Sequence, residues 1–105
     1  MGLEDYLMTG ERVRFRSGPI YYGGKSYEIV LTNKRLILYA QRGVIFKKDE
    51  VISWRIDEIK EIRYYEKGII KKTGYIKLME EKAQTELYGP AKEMKTIYQR
   101  LMEFW

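Results

Sequence analysis

The stretch Tyr27-Glu28-Ile29-Val30-Leu31-Thr32-Asn33-Lys34-Arg35-Leu36-Ile37-Leu38-Tyr39 (YEIVLTNKRLILY) decides how the chain folds. With a two-residue turn at Asn33-Lys34, Leu31 faces Leu36, Ile29 faces Leu38 and Tyr27 faces Ala40, so one side of a hairpin carries only apolar pairs. The other side receives Thr32 with Arg35, Val30 with Ile37 and Glu28 with Tyr39, a mixed set expected to be partly solvated. Asn33 tolerates the left-handed backbone of a tight turn. Lys34 replaces the favoured glycine poorly, so a longer turn is the alternative. A helix beginning at Asn33 is the competing reading. The β-branched and aromatic content, and an apolar stripe that stops at Ala40, argue against it.

Period-two patterns continue on both sides of the hairpin. Upstream, Glu11 to Gly18 sets Val13 and Phe15 against Arg12, Arg14 and Arg16, a strand with one basic face. Downstream, Val44-Ile45-Phe46 and Val51 to Ile56 read as strands around a polar turn, Lys47-Lys48-Asp49-Glu50. Gly68 to Lys72 and Tyr75 to Met79 flank a Lys72-Thr73-Gly74 turn, and Gln84 to Tyr88 forms a last short strand. Between these groups, Ile56, Ile59 and Ile62 stand three apart as on a helix, whereas a strand from Lys60 places Ile62 and Tyr64 on one face; periodicity leaves both readings open. About seven short strands with turns between them predict a small antiparallel sandwich or barrel.

The period then changes. From Pro90 onward, Met94, Ile97, Tyr98, Leu101, Met102 and Trp105 form one apolar stripe at helical spacing, with Lys92, Glu93, Lys95, Gln99, Arg100 and Glu103 opposite. Pro90 suits a helix start, and a helix over about 90–104 is expected to cap the sheet. Its mixed charges fit a membrane-lying amphipathic helix poorly.

The chain has 105 residues and is expected to form a single domain over 1–105. Hydrophobic residues make up 45% and charged residues 33%, the balance of a folded soluble protein. No apolar run is long enough to span a bilayer and the N-terminal stretch is acidic, so the expectation is a cytoplasmic protein, with the inner membrane face as the peripheral alternative. Neither cysteine nor histidine occurs, which removes the usual base near neutral pH, thiol chemistry and the common zinc ligands. No catalytic group, cofactor or metal is expected. The +5 formal charge favours acidic partners of any kind. A single asparagine amid abundant Lys, Glu and Ile suits a heat-adapted source.

Gly18-Pro19-Ile20-Tyr21-Tyr22-Gly23-Gly24-Lys25-Ser26 imitates a phosphate-binding loop without its chemistry. Pro19 holds the place of a required glycine and offers no N–H, and the segment that follows reads as a strand where the motif needs a helix. The 18–25 loop instead presents Ile20, Tyr21 and Tyr22 bordered by Arg14, Arg16 and Lys25, the candidate contact set for an anionic lipid interface. The favoured alternative is that Tyr21 and Tyr22 fold back as lids on the barrel.

Gly10-Glu11-Arg12-Val13, then Ile29-Val30-Leu31-Thr32-Asn33-Lys34-Arg35-Leu36-Ile37-Leu38, then Ile59-Lys60-Glu61-Ile62 and the apolar-striped final helix together resemble the bacterial and archaeal pleckstrin-homology-like domains. The related GRAM and GLUE domains have a similar "GE" opening and "LT-x-x-R" hairpin. The resemblance spans about residues 3 to 104 and implies a seven-stranded antiparallel barrel capped by one helix, with Ile56 to Glu66 mainly extended. It implies a structural role for Arg35. Phosphoinositide-binding members use a lysine on the first strand and an Arg-x-Arg pair on the second. Here the first strand offers Arg14 and Arg16, while the second reads Lys25-Ser26-Tyr27-Glu28-Ile29 without the pair. The expected function is a non-catalytic module that binds a protein partner or another copy of itself. The alternatives are an anionic membrane surface met through the 18–25 loop and, ranked last, nucleic acid met through Lys47, Lys48, Lys67, Lys71 and Lys72, with Tyr64, Tyr65 or Tyr75 stacking on bases.

Overall fold

The computed structural model describes residues 2–105. Seven antiparallel strands form one sheet: β1 (Val13–Tyr22), β2 (Lys25–Thr32), β3 (Arg35–Arg42), β4 (Lys48–Arg55), β5 (Glu61–Lys67), β6 (Thr73–Met79) and β7 (Gln84–Pro90). A helix, α1 (Ala91–Phe104), closes the chain, and short 3-10 turns lie at Leu3–Tyr6 and Ile56–Glu58. The strand order is β4-β3-β2-β1-β7-β6-β5, so the sheet rolls without closing and β4 and β5 are its two edges.

The central hairpin has the register its sequence predicts, with Leu31 opposite Leu36, Val30 opposite Ile37, Ile29 opposite Leu38 and Glu28 opposite Tyr39. Its turn works differently from expectation. No non-glycine residue among those described has a positive φ, so Asn33 is not left-handed. Its side chain instead ties the turn to the segment before β1: Asn33 Oδ1 accepts from the Arg12 amide (2.7 Å) and Asn33 Nδ2 donates to the Gly10 carbonyl (3.2 Å). Within the turn, Thr32 Oγ1 accepts from the Lys34 and Arg35 amides at 3.0 and 2.9 Å, a local side-chain cap on a tight bend.

The inner face of the sheet and α1 share one core. Ile20, Ile29, Leu31, Leu36, Leu38, Ile76, Leu78 and Leu87 from the strands meet Met94, Ile97 and Leu101 from the helix, all fully buried. Those three helix side chains contribute up to about 1.5–3 kcal/mol each, which holds α1 on the sheet. Two glycines make the seat. Gly74 and Gly89 face each other across β6 and β7, and a β-carbon on Gly74 would lie 2.7 Å from Met94 Cβ. The stripe is narrower than the sequence suggests, since Met102 and Trp105 stay exposed.

Three sequence expectations change. The outer side of the hairpin is less solvated than expected: Glu28 and Arg35 stay partly exposed, but Val30, Ile37 and Tyr39 pack with Leu3 and half-buried Leu7 and Val51 in a second core, because the N-terminal 3-10 turn folds over them. Val44-Ile45-Phe46 and Gly68 to Lys72 are not strands but connecting loops, with β4 beginning at Lys48 and β6 at Thr73. The 18–25 segment is not a loop. β1 runs on to Tyr22, with a register shift between Ser17 and Ile20 that accommodates Pro19, which has no ladder donor, and the turn is only Gly23-Gly24. Ile56 to Glu66 is mainly extended after one 3-10 turn.

Candidate interaction surface

The residues proposed from sequence for lipid contact do not assemble into one tip. Strand alternation points Ile20 into the core and leaves Tyr22 half-buried against Trp54, while Tyr21 points outward. Arg16 is engaged by Glu28 through two hydrogen bonds of 2.8 Å and lies 3.5 Å from Glu4. Arg14 sits over the Phe104 ring, 5.1 Å from its centre. Arg14, Arg16, Tyr21 and Lys25 are exposed, but of these only Tyr21 and Lys25 lie beside the Gly23-Gly24 turn. Pairing of β1 with β2 thus spreads the six residues along a strand and does not gather them at one tip.

The motifs flanking the hairpin do internal work instead. The Glu11 carboxylate is buried and accepts from Arg35 Nη2 (2.8 Å), Arg35 Nε (3.0 Å), Thr32 Oγ1 (2.6 Å) and the Met8 amide (2.9 Å). Arg35 also donates to the Tyr6 carbonyl (2.9 Å), so this knot fastens the N-terminal turn to the hairpin. The Arg35 hydrogen bonds, against the opposing effect of burial, hold the Glu11 carboxyl down at about 2. The arrangement leaves no free group for chemistry.

Of the tyrosines named for base stacking, Tyr65 and Tyr75 are already stacked on each other. Tyr21, Tyr88, Tyr75 and Tyr65 are register partners across β1, β7, β6 and β5, with ring centres 5.7, 6.0 and 4.9 Å apart. Lys67 and Lys77 lie over the Tyr65 ring. A hydrogen bond to Glu86 pushes the Tyr65 hydroxyl up to about 12. Tyr64 stacks on Tyr98 and donates to Glu66 at 2.6 Å. The row bridges the β1–β7 seam, with ring faces engaged between neighbouring strands.

The exposed chemistry lies in the two loops that the sequence reading took for strands. In the β3–β4 loop Val44, Ile45 and Phe46 are 92%, 84% and 90% exposed, and in the β5–β6 loop Ile69 and Ile70 are 96% and 94% exposed. Each loop has the same composition: a glycine, an apolar pair or triplet, then two lysines, Gly43 to Lys48 and Gly68 to Lys72. Gly43 and Gly68 take φ of 92° and 118°, where a β-carbon would also collide with the carbonyl oxygen of Phe46 or Lys71. The glycines thus fold both loops into tight turns that push the apolar residues outward. None of Lys47, Lys48, Lys71 and Lys72 forms an ion pair among the described residues. Both loops border the β1–β2 turn. On one side Arg42, at the base of the first loop, donates to the Ser26 carbonyl (3.0 Å); on the other, Ile70 and Tyr21 line a shared groove. A β-branched run beside a glycine reads as a strand by composition, and only the repeated Gly-apolar-Lys-Lys pattern hinted otherwise.

Two solved structures match this architecture. A pleckstrin homology domain from Shewanella amazonensis SB2B is 21% identical over 97% of this chain and 90% of its own, with a TM-score of 0.70. The fold is pleckstrin-homology-like. A DUF1696-family protein with a pleckstrin-homology domain, from Shewanella loihica PV-4, is 22% identical over 97% of this chain and 86% of its own, with a TM-score of 0.64. At these identities the PH-like likeness concerns the fold alone. No protein-family model and no curated protein matches the sequence. Among the described residues of this PH-like chain there is no cluster of acidic side chains fit to hold a metal, and no helix long and apolar enough to cross a membrane.

Proposed function

We propose that this PH-like chain is a non-catalytic docking module that meets an anionic membrane surface through its β3–β4 and β5–β6 loops. The observation that carries the reading is five large apolar side chains, each at least 84% exposed, bordered by four lysines that form no ion pair among the described residues. Exposed apolar clusters of this kind are costly in water and mark interaction sites. A large apolar side chain gains about 1.5–3 kcal/mol when fully removed from water, and a lysine about 1 kcal/mol beside an anionic leaflet. At half these values the loops supply about 6–9 kcal/mol, which falls within the range of about 4–15 kcal/mol lost on association.

Co-sedimentation with vesicles tests this. The protein is expected to sediment with phosphatidylglycerol-containing vesicles and to remain in solution with phosphatidylcholine alone, with binding weakened but not abolished by 0.5 M salt, because screening removes only the lysine contribution. A variant with Val44, Ile45, Phe46, Ile69 and Ile70 all changed to Ser should lose binding at least tenfold while keeping its thermal midpoint. Equal sedimentation of this variant and the parent would rule the loops out.

A second reading is favoured by the open sheet. β4 and β5 are unpaired edges, and either can take up a strand from another protein or another copy. A monomer by analytical ultracentrifugation up to millimolar concentration would remove self-association.

A further inference from the structure

We propose that the groove between the end of β1, the β5–β6 loop and the start of α1 holds one acyl chain of an anionic phospholipid, with the lipid phosphate among Lys71, Lys72 and Lys92. The proposal rests on the membrane reading for the source of the lipid. The groove has a volume of 660 Å³, within the range of about 300–1,000 Å³ typical of small-molecule sites. Its walls are the Tyr21 and Tyr88 rings, Pro90, Ala91 and the flank of Ile70, and the three lysines stand on its rim. No acidic residue lines it. The groove of 540 Å³ beside Asn33 differs, because Asp57 is set among its cations.

Two features fit this occupant in particular. Ile70 is at once an exposed loop tip and a wall of the groove, so a chain leaving the bilayer beside the loop runs directly into it. The groove is also held open by backbone: the Ala91 amide donates to the Lys72 carbonyl at 3.1 Å, which fixes the helix start against the loop base. A single chain with an anionic head matches an apolar trough with a cationic rim, whereas a headgroup without a chain leaves the trough unfilled.

The test uses monomeric dihexanoyl-phosphatidylglycerol, with dihexanoyl-phosphatidylcholine and glycerol 3-phosphate as comparisons, followed by backbone amide shifts of Tyr21, Ile70, Lys72 and Ala91. Phosphatidylglycerol should give saturable shifts, at least tenfold tighter than either comparison. Ala91→Phe, which fills the trough, and the Lys72→Gln, Lys92→Gln double variant, which leaves packing intact, should each weaken binding at least tenfold. Lys82→Gln, in the connection between β6 and β7, should leave it unchanged. Equal affinity for phosphatidylcholine, shifts reproduced by glycerol 3-phosphate, or parental affinity in the double variant overturns the proposal. Vesicle binding without amide shifts overturns the groove alone. Amide shifts without vesicle binding overturn the surface reading alone.

Discussion

Glu11 shows how one buried charge ties distant segments together. Its four hydrogen bonds come from Met8, Thr32 and Arg35, and Arg35 continues to the Tyr6 carbonyl. The carboxyl titrates at about 2 in the folded chain against an ordinary 4.5. Because the folded value is the lower one, the stabilisation is present above about pH 4.5 and is lost as pH falls towards 2. The difference corresponds to about 3 kcal/mol. Urea unfolding of Glu11→Gln beside the parent should show a gap of about 3 kcal/mol at pH 7 that largely closes by pH 2. A gap of the same size at both pH values would show that the loss comes from packing and not from the ionised carboxylate. Removing Arg35 instead strands the buried carboxylate, so Arg35→Met should cost about 3–5 kcal/mol at pH 7 and less in acid.

The join of β6, β7 and α1 depends on missing side chains. Gly74 lies under Met94, Ala91 and the Tyr64 hydroxyl, with backbone among the contacts, whereas a β-carbon on Gly89 would meet chiefly the flexible Met94 thioether at 3.2 Å. Gly74→Ala should therefore destabilise by about 1–3 kcal/mol and Gly89→Ala by less, an order that thermal unfolding of the two variants checks. The reverse order would mean that α1 shifts easily over β6. The hairpin and α1 were legible from sequence because each carries a period long enough to define a face. Leu31 with Leu36 and Met94 with Ile97 and Leu101 have no second arrangement that buries them equally well. The two loops were not legible. Val44-Ile45-Phe46 and Ile69-Ile70 have strand-like composition, and whether such a run enters a ladder depends on a left-handed glycine before it, which composition does not reveal. The outer face of the hairpin was misread for another reason: its cover, Leu3 and Leu7, comes from a segment with no periodicity of its own.

For the molecule as a whole, the rolled sheet gathers its two apolar loops beside the β1–β2 turn, while part of the charge elsewhere is paired, as in Arg16 with Glu28 and Arg42 with Glu50. In the proposed docking mode the loop lysines bring part of the +5 net charge to the membrane. Gly43→Ala and Gly68→Ala change neither charge nor apolar content, yet each forces a left-handed, crowded position. Both together should weaken vesicle binding at least fivefold if loop shape matters, and parental binding would show that composition alone suffices. The most direct measurement is depth. With Phe46→Trp and Ile69→Trp prepared separately in a Trp54→Phe, Trp105→Phe background, fluorescence on anionic vesicles containing brominated acyl chains should be quenched for both positions. Vesicle-bound protein whose fluorescence is unquenched at either position would contradict the account.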